Sequence, residues 1–276
     1  MAKKQRIQQH LKRIGILFIS GLLLTMGFLY AFQDQLIFLP TTLPQDHSYT
    51  FAVPFKEFTL EAKDGALLNA LHFTRKDPKG IIVYYHGNAG NLERWGNVVQ
   101  FFVQKNWEVV VMDYRGYGKS TGERSEKALF SDAALFYQYA LKYFDQEQIL
   151  VYGRSLGTAM ASKIAAQNQP AHLILETPFY NLYDIAKKRI PLLPLRSLLK
   201  YEFNSYQHLQ AVNCPITILH GTADKVVPLD SGEKLYHSIP GTQKKIVIIP
   251  GGAHNNLVTF PEYLEEINAL LGVKNS

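Results

Sequence analysis

The pentapeptide Gly153-Arg154-Ser155-Leu156-Gly157 constrains this chain more than any other stretch. It follows the apolar run 148–152 and precedes residues 158–164, which read as a helix. A strand, a sharp turn with small residues on both sides of a serine, and a helix make a nucleophile elbow. In such a turn the serine backbone is strained and its hydroxyl stands exposed at the edge of the sheet. Glycines are needed on either side because a Cβ there would collide with the neighbouring strand or helix. The same pattern occurs in ordinary glycine-rich turns. Its place at a strand-to-helix junction favours the elbow, and with it an activated serine.

The flanking sequence supplies the sheet that such a turn needs. Residues 55–61 and 66–73 flank Lys63-Asp64-Gly65, an Asp-Gly turn between alternating segments, which predicts an antiparallel hairpin. Residues 80–85, 108–112, 148–152, 172–175, 215–219 and 245–249 are short, continuously apolar, β-branched runs. Strands of that kind are buried on both faces of a parallel sheet. Helical segments at 92–105, 126–144, 156–167, 229–237 and 261–271 fall between them. The expected architecture is α/β: a mostly parallel eight-stranded sheet with helices on both faces. About forty residues between 175 and 215 break the alternation and contain Pro191 and Pro194. They are expected to form a small helical cap, residues 177–212, over the carboxyl ends of the strands.

A serine hydroxyl is a weak nucleophile near neutral pH. It needs an imidazole to take its proton and a carboxylate to hold that imidazole in the right tautomer. After an elbow the acid and then the histidine follow, each on a loop after a strand. Asp224 follows the run ending at Leu219, and His254 follows the run ending at Ile249 on the glycine-rich loop 250–255. Glu176, after another strand, is a weaker candidate acid, and Asp224 could merely cap the helix near Leu229, a task for which Asp230 is better placed. The developing oxyanion needs backbone donors already in place. The N–H of Leu156 is one; the loop after the third strand, residues 86–91, supplies the other, with Asn88 the chosen residue. Gly87 lets that backbone approach a ligand closely, and Asn91 is suited to cap the following helix. His86 and His220 end strands and are expected to make structural hydrogen bonds.

The amino terminus has a separate purpose. Lys3, Lys4, Arg6, Lys12 and Arg13 precede nineteen residues, 14–32, without a charge. As a helix these span roughly 28 Å, close to the hydrocarbon thickness of a bilayer. A basic flank at 1–13 places the amino terminus in the cytoplasm and the rest across the membrane. A cleaved signal peptide would have a shorter apolar core ending in a small-x-small site, which residues 28–33 do not offer. An uncleaved single-pass anchor is therefore expected, followed by a connector at 33–54, of which 40–54 reads as lifting the domain off the bilayer. Residues 35–40 could pack on the domain or lie at the membrane interface. With the five flanking cations set aside, 24 Lys and Arg remain against 23 acidic residues. The near-neutral remainder argues against a nucleic-acid partner. Cys214, the single cysteine, forms no intramolecular disulfide.

From about residue 55 to the end, the chain resembles the α/β-hydrolase superfamily. The resemblance rests on residues 86–91, 113–120 and 153–157, on Asp224 with Val227-Pro228, and on 252–254. It is similar in particular to the single-pass, membrane-anchored branch that includes fungal Bem-type and mammalian abhydrolase-domain proteins. The resemblance implies an α/β-hydrolase fold, a Ser155-His254-Asp224 triad, no metal and no cofactor. Asp113 and Tyr114 match a loop that shapes the site in the family without joining the triad. His86 and Gly87 fall in the matching oxyanion block. Branch members are credited with ester, thioester or lipid hydrolysis, and some are labelled peptidases. An ester or thioester with an apolar acyl chain is the expected substrate. A peptidase for short peptides and a non-catalytic membrane-anchored binding module are the rivals. The oligomeric state is not legible.

Overall fold

The Asp64-Gly65 turn closes a hairpin of β1 (Phe55–Glu61) and β2 (Leu67–Phe73), paired antiparallel with Phe55 opposite Phe73. In the computed structural model, which describes residues 2–241 and 243–273, the apolar runs become β3 (Ile81–Tyr85), β4 (Glu108–Met112), β5 (Ile149–Arg154), β6 (His172–Glu176), β7 (Ile216–Gly221) and β8 (Lys244–Ile249). Met1, Thr242 and residues 274–276, which the segments expected at 1–13 and 55–276 include, lie outside the described residues. The eight strands form one sheet in the order β8-β7-β6-β5-β3-β4-β2-β1. β2 pairs antiparallel with β4, and every pair from β4 to β8 is parallel. β5, which carries the elbow, lies in the interior of the sheet between β3 and β6.

Alternating side chains of the buried strands feed two cores. Ile81, Val83 and Tyr85 pack with Leu129, Phe136, Met160 and Ile164 on one face, whereas Ile82 and Tyr84 pack with Trp95, Val99, Phe102 and Ile267 on the other. The first face is covered by α3 (Glu126–Ala140), α4 (Gly157–Gln167) and α6 (Leu229–Ser238), the second by α2 (Leu92–Val103) and α7 (Pro261–Leu270). Residues after β6 leave the sheet as α5 (Leu182–Arg189), a tight turn at Leu195–Ser197 and a short helix at Ser205–Leu209. Asn181 caps α5 by accepting the Asp184 N–H at 2.7 Å.

The amino-terminal helix α1 (Ala2–Ala31) is the one helix among the described residues long and apolar enough to cross a membrane, and none of its apolar span is buried. The segment after it is no spacer. Phe38 is 1% exposed and packs against Tyr201 and Phe203, and Tyr49 is buried in the opposite core. Residues 33–54 therefore lie on the domain instead of lifting it away. The physical reason is that Phe38 and Tyr49 find apolar partners from distant segments, so burying them against the domain outweighs solvation.

His172, partly buried at the start of β6, offers a separate test of the packing. Its Nε2 lies 2.9 Å from Thr217 Oγ1, and burial, partly opposed by the charge of Glu266, holds the imidazole down at about 4. In the unfolded chain a histidine takes its proton at about 6.5. Between those values the unfolded state binds more protons, so stability falls as pH drops from about 6.5 toward 4. The loss from this group is on the order of 3 kcal/mol when the pH falls below both values, less the screening its partial exposure allows. Urea unfolding of wild type and His172→Gln at neutral and acidic pH should show the wild type losing more; parallel losses would contradict the assignment.

Candidate active site

Ser155 follows β5 with φ of 50°, a left-handed conformation that a serine adopts only under constraint. Ser155 N–H donates to Glu176 O of the neighbouring strand at 2.9 Å, Thr158 N–H closes the turn by donating to Ser155 O at 2.9 Å, and α4 begins two residues after the serine. A Cβ on Gly157 would sit 1.9 Å from Tyr85 O, and one on Gly153 would meet Ala161 and Gly157 O at 2.6 Å. Both neighbours must be glycine because backbone passes where a side chain would go.

The loops after β7 and β8 bring their polar residues to this turn. His254 Nε2 lies 2.9 Å from Ser155 Oγ, and His254 Nδ1 lies 2.7 Å from Asp224 Oδ2. With the carboxylate accepting the Nδ1–H, Nε2 is left as the acceptor for the serine hydroxyl. The other oxygen of Asp224 accepts the N–H groups of Val226 and Val227 at 2.8 and 2.9 Å. Burial alone would raise the Asp224 carboxyl. The hydrogen bond and charge of His254, with the Val227 and Val226 N–H groups, outweigh it and hold it below the ordinary carboxylate range. Asp224 thus both orders its own loop and faces the imidazole. Pro228 precedes α6, and Asp230 lies in its first turn paired with Lys188 at 2.5 Å. Glu176 is otherwise occupied: Tyr152 O–H donates to it at 2.7 Å, and Arg154 Nε lies 3.3 Å away.

Among the described residues, neither the N–H of Leu156 nor that of Asn88 donates to a protein acceptor. The loop holding Asn88 is firmly built. His86 is fully buried, its Nδ1 2.6 Å from Gly87 O and its Nε2 3.4 Å from Asp113 Oδ1. Burial pushes the Asp113 carboxyl up, against the opposing pull of His86 and the Leu92 N–H. Tyr114 O–H donates to His86 O at 2.7 Å. A Cβ on Gly87 would lie 3.7 Å from the Ser155 Cβ, so this backbone runs beside the nucleophile. Asn91 caps α2, accepting the Glu93 N–H at 2.9 Å. His220 makes a structural contact, its Nε2 2.8 Å from Val227 O.

Arg154 has a part at the site that sequence reasoning missed. It is buried, stacks over Trp95, and donates through one terminal nitrogen to His254 O at 3.3 Å and Asn255 Oδ1 at 3.2 Å. It therefore ties the residue before Ser155 to the loop of His254. Its signal in the sequence is a charge at the end of an otherwise apolar strand. Among the described residues, no group of three or more His, Cys, Asp or Glu side chains is placed to hold a metal ion.

A family model described as serine aminopeptidase, S33, matches residues 76–204 and 183–258, which together make up most of the chain. The chain belongs to this family of α/β-hydrolases. Protein bem46 of Schizosaccharomyces pombe is 28% identical to this hydrolase over 275 residues, covering 93% of this chain and 91% of that protein. Lysophosphatidylserine lipase ABHD12 of Danio rerio is 33% identical over 176 residues, which are 56% of this chain and 46% of the relative. The fold matches a Pyrococcus furiosus esterase with a TM-score of 0.66 at 16% identity, covering 85% of this chain and 96% of that one. The hydrolase thus falls in the Bem-type branch of the superfamily.

Proposed function

We propose that this protein is a membrane-anchored serine hydrolase that cleaves a carboxylic ester or thioester with an apolar acyl chain. The observation that carries this reading is the imidazole of His254 suspended between Ser155 Oγ and Asp224 Oδ2. Ser155 attacks the acyl carbonyl while His254 Nε2 takes its proton, and Asp224 stabilises the imidazolium that forms. The N–H groups of Leu156 and Asn88 receive the oxyanion. His254 then gives its proton to the leaving group, and water, deprotonated by the same imidazole, releases the acid from Ser155. Every step uses this chain's own side chains and water. Residues 1–13 form a cytoplasmic flank, 14–32 the span, 33–54 the connecting segment and 55–276 the catalytic domain with its cap at 177–212, on the non-cytoplasmic side. The lipase and esterase names among its relatives support an acyl substrate.

The family description favours a second reading, an aminopeptidase. The two differ in the bond broken. Rates of the full chain in detergent on butyryl and palmitoyl p-nitrophenyl esters, a palmitoyl thioester and alanine p-nitroanilide separate them. Turnover of the esters or thioester, and none of the amide above a Ser155→Ala background, is expected. Preferential cleavage of the amide would put the peptidase first.

A further inference from the structure

An apolar cleft of about 300 Å³ lies between the end of the amino-terminal helix and the cap. Leu29, Leu36 and Ile37 form one wall, and Ile185, Leu195 and Leu198 the other. The two polar residues on it are used elsewhere. Gln33, 5% exposed, donates to Leu198 O at 2.9 Å and accepts the Lys200 N–H at 2.7 Å, clamping the segment that follows α1 to the cap. Arg189 donates to Val226 O at 3.0 Å. The rest of the lining is a hydrocarbon surface with no polar demand of its own.

Its surroundings indicate what fills it. Leu29 belongs to the charge-free run 14–32, so the cleft opens where a membrane span ends. Leu36 at its mouth is 57% exposed, and Leu192, two residues beyond the cleft-lining Ile190, is 96% exposed. Such side chains are costly in water and favourable at a bilayer interface. Lys200 of the cap stacks over Tyr30 in the last turn of α1, 4.8 Å from its ring centre, a cation–aromatic pair suited to headgroup depth. The chain that forms this wall also holds the Asn88 loop: Asn88 Nδ2 donates to Ile37 O at 3.0 Å, and Leu39 N–H donates to Asn88 O at 2.9 Å. The residue proposed for the oxyanion is thus held by the wall of the cleft.

We propose that this cleft is the acyl-chain site of the enzyme, filled by the tail of a phospholipid that enters sideways from the bilayer holding α1. This rests on the hydrolase reading above and names its substrate class. The membrane helix then serves as one wall of the substrate site as well as an anchor.

The full chain in phosphatidylcholine vesicles, with a trace of phosphatidylcholine bearing a diazirine on its acyl chain, tests it. Irradiation and peptide mapping should place label on the cap, within 182–199, as well as on α1. Label confined to α1 would overturn the proposal. In a second arm Ala186→Phe, which narrows the cleft, should lower the ratio of palmitoyl to acetyl ester turnover by about tenfold or more. An unchanged ratio would overturn it, whatever the absolute rates, so reduced folding of the variant does not mimic the effect. If wild type turns over neither ester nor thioester, the hydrolase reading falls, and the cross-linking arm still decides the cleft.

Discussion

Ser155→Ala in the full chain is expected to lower turnover of any acyl substrate by about 10³–10⁶. The change removes the atom placed to form the acyl-enzyme, while the Leu156 and Asn88 N–H groups and the substrate-binding surface stay. Their contribution without a nucleophile sets the residual rate. Alanine has the same backbone demand at φ of 50° as serine, and the backbone bonds of this residue to Glu176 O and from the Thr158 N–H are unchanged, so the fold should be retained. Steady-state rates beside a circular-dichroism spectrum check both halves. Retained turnover in a folded variant would exclude the nucleophile assignment. A preserved cellular role without turnover would favour a binding module.

The second large effect is Asp224→Asn, expected to cost about 10⁴ in kcat. The asparagine oxygen can still accept the Val226 and Val227 N–H groups, so the loop after β7 keeps its form. Its amide then presents a donor toward Nδ1, which favours the tautomer with hydrogen on Nε2, and Nε2 can no longer take the serine proton. Glu176 cannot substitute, being committed to Tyr152 and Arg154. Glu176→Gln is instead expected to disturb the buried Arg154 network and so the seat of His254. A negligible loss in Asp224→Asn would require a different acid. Because the Asp224 carboxyl is depressed on folding, it also contributes stability above the ordinary carboxylate range, which is lost as pH falls through its folded value.

The sheet, and the residues that meet at the Ser155 turn, are legible in the sequence because their signals are local. Six β-branched runs, one Asp-Gly turn and a glycine-flanked serine each demand a conformation from their own neighbourhood; the order of the strands is set by contacts between them. The order serine, acid, histidine along the chain then pointed to Asp224 and His254. The cap of Asn91 on α2 is legible by the same route, since it sits at the junction of a strand and a helix.

Other features depend on contacts that no local pattern carries. Residues 35–40 read equally well as membrane-interface or buried, because Phe38 is settled by Tyr201 and Phe203, more than 160 residues away. The clamp of Gln33 on Leu198 O and Lys200 N–H is of the same kind. Arg154 draws its partners from Glu176, His254 and Trp95, three separate segments, so its part in seating the histidine loop emerges only once the sheet is folded. The cap was legible as an interruption of the alternation. Its apolar side toward α1 was not, since leucines at 192–199 suit a surface helix as well as a cleft.

Activation of the serine at residue 155 separates an enzyme from a binding module. It is tested most directly by labelling the full chain with a fluorophosphonate probe, keeping residues 33–43 because they support the Asn88 loop. Covalent labelling of wild type that disappears in both Ser155→Ala and His254→Ala is the expected result. Labelling that persists in either variant, or none in folded wild type, would contradict it.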